Sequence, residues 1–335
     1  MNMMTGRIVL APMEGVVDPL MRQVLTQIGG IDLCVTEFIR ITDGLQPESV
    51  FLRYAPELAS GGATPAGVPV VVQLLGSHPD MLALNAARAA GMGAPGIDLN
   101  FGCPSRTVNR HRGGALLLET PDDIYRIVKT VRAAVPSGVP VTAKMRLGYS
   151  DTALALENAR AIAEAGADGL TVHARTKLEG YKPPAHWHWI ARIRASVSIP
   201  VTANGEIWNR DDYLRCREIS GCRDVMIGRG LLARPQLARD IKAGQIGATP
   251  MTSDWRHTLG IVRDYLDRLE RSAPTLVHGR IKQWLHMMRR EHSEAAELFE
   301  RIKRLRDPGQ VNQALGAEIH SSRSQDRHVL AAGVR

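Results

Sequence analysis

The sequence predicts an α/β fold, a parallel (β/α)8 TIM barrel followed by a small all-helical C-terminal domain. Eight short runs rich in apolar and β-branched residues recur up to residue 228, and Ala-, Leu- and Arg-rich stretches separate them. After residue 240 no further run of this kind occurs, and three helical segments follow. Eight alternating units fit a closed barrel, because a doubly wound open sheet usually stops at about six strands and carries a glycine-rich loop after its first strand.

The eight predicted strands are apolar along most of their length, as expected for strands buried on both faces of a parallel sheet. They are Ile8–Met13, Leu33–Phe38, Pro69–Leu75, Ile97–Asn100, Val139–Met145, Leu170–His173, Ile199–Ala203 and Val225–Ile227. Among the helices between them, the one that starts Thr120-Pro121-Asp122-Asp123 has the clearest beginning. A threonine at the N-cap, a proline at the first helical position and acidic residues in the first turn favour a helix N-terminus there.

One glycine-rich segment does not indicate a dinucleotide site. The segment Gly91-Met92-Gly93-Ala94-Pro95-Gly96 matches the pattern G-x-G-x-x-G, but it follows a predicted helix and precedes a predicted strand. The dinucleotide-binding motif requires the reverse order. We therefore predict that this segment only ends a helix.

The predicted chain has three parts. Residues 1–245 form the barrel, residues 246–308 a helical domain and residues 309–335 a flexible tail. The helices predicted for the second part are Trp255–Arg271, Leu276–Arg290 and Glu294–Arg306. The tail is small, polar and without periodicity, which is typical of segments that bury too little apolar surface to become ordered.

The C-terminal part is the more basic one. The chain has a net charge of +8, and residues 250–335 carry 15 Lys and Arg against 11 Asp and Glu. The same excess of four positive charges is spread over 249 residues in the rest of the chain. In the predicted helix Leu276–Arg290, apolar and basic residues occupy opposite faces: Ile281, Trp284, Leu285 and Met288 against Lys282, His286, Arg289 and Arg290. A basic module of this kind favours a polyanionic partner.

Composition argues against several other classes of protein. No apolar run approaches the roughly 18 residues of a membrane span, and the first residues lack the apolar core of a secretory leader. Four cysteines are too few for a disulfide framework, and Cys216 and Cys222 lack the second ligand pair of a zinc site. We expect a cytoplasmic, monomeric protein without a metal or a membrane partner.

Nearly every predicted strand ends in polar residues. In barrels of this class the active site lies at the C-terminal ends of the strands. The candidate site residues there are Pro12, Met13, Glu14, Gln73, Asn100, Cys103, Lys144, Arg146, His173, Asn204, Gly205, Glu206, Gly228 and Arg229. Glycines after the last two strands let backbone N–H groups approach a phosphate, and Arg229 can add a charge-assisted contact. We predict a phosphorylated ligand, such as FMN, a sugar phosphate or a phosphorylated substrate.

Two of these residues leave several chemical roles open. Lys144 could form a Schiff base, could hold an anionic ligand as a fixed positive charge, or could be part of a plain ion pair. Cys103 lies on the loop after the fourth strand. It could be a nucleophile with a lowered pKa, a general acid that keeps its proton, or an inert buried thiol.

Taken together, the motifs resemble the tRNA-dihydrouridine synthases, and the resemblance covers most of the chain. The most specific segment is Asp98-Leu99-Asn100-Phe101-Gly102-Cys103-Pro104, followed by Asn109 and Gly113-Gly114-Ala115. Further matching segments are Ala11-Pro12-Met13-Glu14-Gly15, Val72-Gln73-Leu74, Ala143-Lys144-Met145-Arg146, Val172-His173-Ala174-Arg175-Thr176 and Met226-Ile227-Gly228-Arg229-Gly230. The segments Thr36-Glu37-Phe38, Asn204-Gly205-Glu206-Ile207-Trp208 and Arg280-Ile281-Lys282-Gln283-Trp284-Leu285 resemble the bacterial class C branch. That branch implies the D-loop uridine at tRNA position sixteen as the substrate.

The resemblance implies FMN as cofactor, NADPH as electron donor and tRNA as partner. It assigns flavin contacts to Pro12, Met13, Glu14, Gln73, Lys144, Asn204, Gly205, Glu206, Gly228 and Arg229, with His173 beside the ring. It makes Cys103 the proton donor to C5 of uracil, after a hydride has reached C6. Asn100 and Arg146 become contacts to the base, and Arg40, Arg280, Lys282 and Arg289 contacts to the tRNA. The target base must be turned out of the folded RNA to reach a barrel mouth.

Two segments depart from the family pattern, and three alternatives accompany the prediction. Phe101 stands where a smaller residue is expected, and Arg110-His111-Arg112 replaces a glycine-rich stretch. The nearest alternative is a flavin barrel that acts on free pyrimidines, similar to dihydroorotate dehydrogenase, although the basic helical part argues against it. The others are a Schiff-base aldolase that uses Lys144 and an RNA-binding barrel without catalysis.

Overall fold

The computed structural model describes residues 6–105, 107–108, 113–245 and 254–319, and it confirms the predicted barrel. The strands in this range are β1 (Ile8–Leu10), β2 (Leu33–Val35), β3 (Ile39–Arg40), β4 (Val70–Leu75), β5 (Ile97–Phe101), β6 (Val141–Arg146), β7 (Gly169–His173), β8 (Val201–Asn204) and β9 (Val225–Ile227). All pair in parallel, and the ring closes because β1 pairs with both β2 and β9 while β2 also pairs with β4. The two-residue β3 continues the course of β2 beside the end of β4.

The first two strands end earlier than predicted, which releases their polar ends to the barrel mouth. Ala11 still donates its N–H to the carbonyl of Ile227 (2.9 Å), but Pro12 has no N–H to extend the ladder. The chain then turns, because the carbonyl of Met13 accepts from the N–H groups of Val16 and Val17 (both 3.0 Å). Met13 and Glu14 therefore lie in a turn at the mouth instead of in the strand.

The interior of the barrel changes from apolar to polar toward this mouth. Side chains alternate between the two faces of a strand, so every second residue points inward. The apolar part of the interior is formed by Val9, Ala11, Val35, Val71 and Met226. Nearer the C-terminal ends the inward positions are polar, and the strand register sets them side by side: Asn100 is opposite Lys144, and His173 is opposite Asn204.

Helices surround the barrel as predicted. They are α1 (Pro19–Ile28), α2 (Glu48–Tyr54), α3 (Pro79–Gly91), α4 (Pro121–Ala134), α5 (Ala155–Glu164), α6 (Trp187–Ser196), α7 (Arg210–Ser220), α8 (Arg229–Ala233) and α9 (Leu237–Gln245). The segment from Gly91 to Gly96 does end α3 and leads into β5, so it is not a dinucleotide motif. Thr120 occupies the N-cap of α4, but its hydroxyl does not cap the helix and donates to the carbonyl of Leu117 (3.4 Å).

The C-terminal part is helical, and it extends further than predicted. Its helices are α10 (Trp255–Ser272), α11 (Val277–Met288) and α12 (Ser293–Ile302), and a further helix covers residues 308–319. The prediction of a flexible tail from residue 309 is therefore wrong for residues 309–319. Val311 and Leu315 are one helical turn apart and fully buried, which fixes this stretch to the core. Residues 246–253, at the start of the predicted helical domain, and residues 320–335 lie outside the described residues.

The helical region and the barrel share one hydrophobic core. Trp284 of α11 is buried, and its Nε1 donates to the carbonyl of Leu232 in α8 (3.0 Å). Arg280 of α11 donates to the carbonyl of Gly15 and forms an ion pair with Asp18 (3.0 Å), both at the mouth of the barrel. The helical region therefore stands at the same end of the barrel as the polar residues. No helix within the described residues is long and apolar enough to cross a membrane.

Candidate active site

A cavity of about 470 Å³ opens at the C-terminal ends of the strands. All eleven predicted cofactor residues line it: Pro12, Met13, Glu14, Gln73, Lys144, His173, Asn204, Gly205, Glu206, Gly228 and Arg229. Asn100, Cys103 and Arg146 line it too. The residues that the structure does not bring to this cavity are Arg40, Arg280, Lys282 and Arg289.

A chain of hydrogen bonds connects the floor of the cavity to the Cys103 loop. The buried carboxylate of Asp98 accepts from the hydroxyl of Thr142 (2.6 Å) and from Nε2 of Gln73 (2.7 Å). Oε1 of Gln73 accepts from Nδ2 of Asn100 (2.7 Å). Oδ1 of Asn100 accepts from the backbone N–H of Cys103 (2.9 Å) and from that of the preceding residue (3.0 Å). Asn100 therefore orients the thiol loop, and Gln73 holds Asn100 in place.

Cys103 sits in an apolar corner of the cavity with 8% of its surface exposed, against Phe38, Leu75 and Val108. Burial raises the pKa of the thiol, and the carboxylate of Glu14 raises it further. A hydrogen bond from the backbone and the positive charges of nearby arginines oppose this shift of the pKa without reversing it. The thiol therefore keeps its proton at neutral pH, which fits a general acid and not a thiolate nucleophile.

Lys144 points into the same cavity and forms no ion pair or hydrogen bond with any residue that the structure describes. Its pKa is lowered to about 8, mainly by burial and also by the positive charge of Arg146, while Asp98 and Cys103 oppose this shift of the pKa. The plain ion pair considered for Lys144 is thus absent from the described part of the chain. An ammonium in this position attracts an anionic ligand, because it has no counter-charge of its own in contact.

His173 is the second polar group of the cavity that is left without a partner. Its Nδ1 is buried and has no hydrogen-bond partner in the structure. Burial and the nearby positive charges of Arg146 and Lys144 hold the pKa of the ring well below its usual value. The imidazole is therefore neutral, and it can exchange a hydrogen bond with a ligand on either nitrogen.

Two glycines at the mouth are required by the backbone. Gly205 has a φ of +124°, which residues with a side chain rarely adopt, and its carbonyl accepts from Nε1 of Trp187 (2.9 Å). A Cβ on Gly230 would lie 2.0 Å from the carbonyl oxygen of Ile207. These contacts explain why the turns after β8 and β9 are glycine-rich, and they bring the two turns close together at one side of the cavity.

Arg146 fastens three loops of the mouth together. Its Nε donates to the carbonyl of Gly102, and its Nη1 donates to the carbonyls of Thr176 and Gly180 (all 2.9 Å). The guanidinium also lies over the ring of Tyr181, 5.2 Å from its centre. Most of its N–H groups therefore donate to backbone carbonyls of the protein. If Arg146 contributes to base binding, it does so partly by fixing the shape of these loops.

Four further residues complete the cavity, namely Phe38, Tyr181, Trp208 and Met287. Phe38 and Trp208 had entered only as members of segments that resemble class C, and Tyr181 and Met287 were not predicted. Tyr181 is 54% exposed and projects between Arg146 and Arg229, whose guanidinium is 4.7 Å from its ring centre. The unusually long loop between β7 and α6 was the one sequence feature that could have suggested it. Met287 gave no signal, because it reaches the cavity from α11 in the helical region.

The four residues predicted to contact tRNA have different environments. Arg280 is tied to the turn after β1, and Lys282 donates to the carbonyl of Leu305. Both therefore hold the helical region in position. Arg289 is exposed and has Phe299 as its neighbour (5.9 Å from the ring centre). Arg40 ends β3 at the barrel rim, close enough to influence the thiol of Cys103.

A second cavity of about 480 Å³ adjoins the first, between the barrel mouth and helices α11 and α12. The two cavities share Trp208, Arg229 and Met287. The guanidinium of Arg290 lies 4.0 Å from the ring centre of Trp208, and that of Arg229 lies 5.0 Å from it. The two cavities are thus joined along a row of arginines and aromatic rings.

A closed barrel with its polar residues gathered at one end is the architecture of the (β/α)8-barrel enzymes. Among solved structures, histamine dehydrogenase from Rhizobium sp. 4-9 has a TM-score of 0.55 and 16% identity, over 72% of this chain and 46% of that one. A 2-naphthoyl-CoA reductase has a TM-score of 0.55 and 14% identity, over 71% of this chain and 50% of that one. This chain spans about half the length of those two, and the likeness shows the fold alone.

Sequence relatives define the family more narrowly. Residues 9–324 match the family described as dihydrouridine synthase (Dus). The "tRNA-dihydrouridine(16) synthase" of Ralstonia nicotianae is 55% identical over 307 residues, which cover 91% of this chain and 94% of that protein. The protein of the same name from Pseudomonas putida is 53% identical, over 93% of this chain and 97% of its own. The chain belongs to the dihydrouridine synthase family.

Proposed function

We propose that this protein reduces the C5=C6 bond of a uridine in the D loop of tRNA, at position sixteen, with FMN as cofactor and NADPH as electron donor. The name shared by its relatives supports the substrate and the position. One observation carries the proposal: a thiol that keeps its proton and an ammonium without a counter-charge face the same cavity. We further propose that the protein acts in the cytoplasm as a monomer.

The residues of the first cavity fit a flavin. Lys144 and His173 each have a side-chain polar group without a partner, and the hydrogen-bonding edge of an isoalloxazine ring would offer a partner to both. Arg229 forms no ion pair with any described residue, so its charge is available to a phosphate at the glycine turns. The other proposed contacts are Pro12, Met13, Glu14, Gln73, Asn204, Gly205, Glu206 and Gly228. When bound, the flavin supplies the hydride that C6 of uracil accepts.

The chain itself supplies the proton and the shape of the site. We assign the proton that C5 receives to the thiol of Cys103, on a loop that Asn100 orients. Asn100 retains one Nδ2 proton for the base, since only the other is donated to Gln73. Tyr181 offers an exposed ring at the edge of the cavity, and bases turned out of RNA stack on such rings.

The helical region supplies the affinity for the rest of the tRNA in this proposal. Arg289 is exposed and forms no ion pair with any described residue, and Arg40 lies on the opposite rim. Phosphate contacts of this kind position a nucleic acid without reading its sequence. Arg280 and Lys282 contribute by holding α11 against the barrel and against the segment after α12.

The proposal is tested by incubating tRNA that lacks dihydrouridine with the protein, FMN and NADPH, and by mapping the product. We expect a yellow protein with one flavin per chain and dihydrouridine at position sixteen only. Dihydrouridine at another position would overturn the assigned site, and none at any position would overturn the activity. Free uracil and orotate, added in place of tRNA, should leave the reduced flavin unoxidised. Turnover of either one would favour the free-pyrimidine alternative.

A further inference from the structure

The second cavity has the chemistry of a site for phosphate groups. Three arginines and His286 line it, and no acidic residue does. In the proposed function Arg229 holds the phosphate of the flavin, so Arg289 and Arg290 supply the charge for a second phosphate. Arg289 forms no ion pair with any residue in the described ranges. Arg290 has only an exposed carboxylate, that of Glu291, at 3.7 Å. Several guanidinium groups without close counter-charges attract a phosphate dianion, which can accept bidentate hydrogen bonds from them.

The position of the cavity indicates which phosphate it takes. The first cavity must admit the nicotinamide ring of the electron donor, because hydride transfer needs direct contact with the flavin. The remaining half of the dinucleotide must then lie in an adjoining space, and the second cavity shares three lining residues with the first. The second cavity has a volume of about 480 Å³, and its lining comes from the barrel mouth on one side and from the end of α11 and from α12 on the other.

Trp208 gives this space an aromatic wall. Its ring has the guanidinium groups of Arg290 and Arg229 against it, at 4.0 and 5.0 Å from the ring centre. These contacts keep both charges at the junction of the two cavities. Burial lowers the pKa of Arg229, and the charge of Arg175 lowers it further; Tyr181 and Glu206 oppose the shift of the pKa, and Arg290 adds to it.

We infer that the second cavity binds the phosphate groups of the nicotinamide dinucleotide, with Arg290 against Trp208 as a ligand of the 2′-phosphate that distinguishes NADPH from NADH. This inference rests on the proposed function for the identity of the electron donor. It assigns to Arg290 and Trp208 a selectivity for the reductant that is separate from the binding of flavin and from the reduction of uridine.

The test is Arg290→Ala, compared with Arg304→Ala as a matched control. Arg304 is another exposed arginine of the helical region, and it lines neither cavity. Flavin reduction is followed anaerobically by stopped flow without tRNA, with NADPH and with NADH. Loss of a charge-assisted contact should raise the Kd for NADPH about tenfold in Arg290→Ala. The limiting rate and the Kd for NADH should change by less than about twofold.

Direct binding supplies a second readout. Calorimetric titration of the oxidised holoprotein with NADP⁺ and with NAD⁺ should show the same selective loss in Arg290→Ala. Arg290→Lys should be intermediate, because it keeps the charge but not the planar fork. Arg304→Ala should match the unaltered protein for both dinucleotides, and melting temperatures should confirm that all three variants are folded.

Each contrary result overturns the inference. If Arg290→Ala raises the Kd for NADPH and for NADH equally, or raises neither, Arg290 does not bind the 2′-phosphate. If the variant weakens tRNA binding in a gel-shift assay while the Kd for NADPH is unchanged, the cavity contacts RNA instead. Failure of the proposed function is a separate observation: the unaltered protein would be reduced by NADPH and yet form no dihydrouridine.

Discussion

Burial has opposite chemical consequences for two side chains of the first cavity. A low-dielectric surrounding favours the neutral form of both groups, so it keeps the proton on Cys103 and loosens the proton on Lys144. The pKa of the thiol is raised, and that of the ammonium is lowered to about 8. The thiol is thereby prepared to give a proton, whereas the lysine keeps its charge at neutral pH and loses it as the pH rises through about 8.

For Cys103 we predict that the alanine variant separates the two half-reactions. Cys103→Ala should still bind FMN and be reduced by NADPH at close to the normal rate. It should reduce uridine at least about a hundredfold more slowly, the contribution typical of a positioned general acid. Single-turnover kinetics with reduced protein and tRNA measure the second step. Formation of dihydrouridine at the normal rate by this variant would show that another group delivers the proton.

For Lys144 we predict a pH dependence of flavin binding to the apoprotein. Lys144 is charged below its pKa of about 8 and neutral above it, so the attraction for an anionic ligand is complete below that pH and is lost as the pH rises through it. The Kd for FMN should therefore increase between about pH 7 and 9. Lys144→Met should flatten the profile, and Lys129→Met, an exposed control, should not. An unchanged profile in Lys144→Met would place the titrating group elsewhere.

At the scale of elements, α11 links the chemistry to the rest of the molecule. Its apolar residues Ile281, Trp284, Leu285 and Met288 are all buried, as their spacing predicts. Trp284 packs edge-on against Tyr265 of α10, with ring centres 5.1 Å apart. Its Nε1 also satisfies the carbonyl of Leu232 near the end of α8, where carbonyls lack partners within the helix. Helix α8, which follows the glycine turn after β9, is thus held in place by a residue of the helical region.

We predict that Trp284→Phe weakens this link measurably. The change removes one hydrogen bond and leaves a cavity, which together should lower the free energy of unfolding by about 2–3 kcal/mol. Trp189→Phe is the control, because Trp189 lies partly exposed on α6 and has Arg192 as its ring neighbour at 3.8 Å. The control should stay within about 0.5 kcal/mol of the unaltered protein in urea unfolding. Equal stability of both variants would mean that α11 does not brace α8.

At the scale of the whole molecule, the barrel and the helical region act through one continuous core. Arg280, Met287 and Trp284 all reach the barrel from α11, so the more basic part of the chain also completes the first cavity. In the proposed function, a tRNA bound to the helical region would therefore lie at the cavity mouth. The exposed arginines would attract its phosphates, and the bonded ones keep the two parts in register.

We predict that Arg289→Glu combined with Arg306→Glu weakens tRNA binding without loss of flavin. Both side chains are exposed and form no ion pair with a described residue. Each lost phosphate contact should lower the slope of log Kd against log salt concentration by about one. Filter binding at several salt concentrations measures the slope, and flavin absorbance reports folding. Unchanged affinity and slope would move the RNA surface away from the helical region. Lys282 is a poor choice for this test, because it is bonded to Leu305.

The sequence by itself determined the barrel, the direction in which its strands run and the eleven cavity residues. Continuous apolar strands and glycine turns are local patterns, and the C-terminal ends of parallel strands meet at one mouth of the barrel. The buried face of α11 was predictable for the same reason. The ordered helix over residues 308–319 was not, since two apolar residues one turn apart gain stability only from a core that already exists.

Only the tertiary structure decided the protonation states of the cavity residues and the hydrogen-bond partners of the basic ones. The protonated thiol, the unpaired lysine and the neutral His173 follow from burial and from neighbours on other strands, which no local pattern encodes. The same holds for Arg280 and Lys282, which the family resemblance assigned to RNA and which the fold commits to carbonyls of the protein. Met287 and Trp208 come together from parts of the chain far apart in sequence. Charge and periodicity are properties of a single segment, whereas pKa values, cavities and ion pairs depend on contacts between segments that are far apart in sequence.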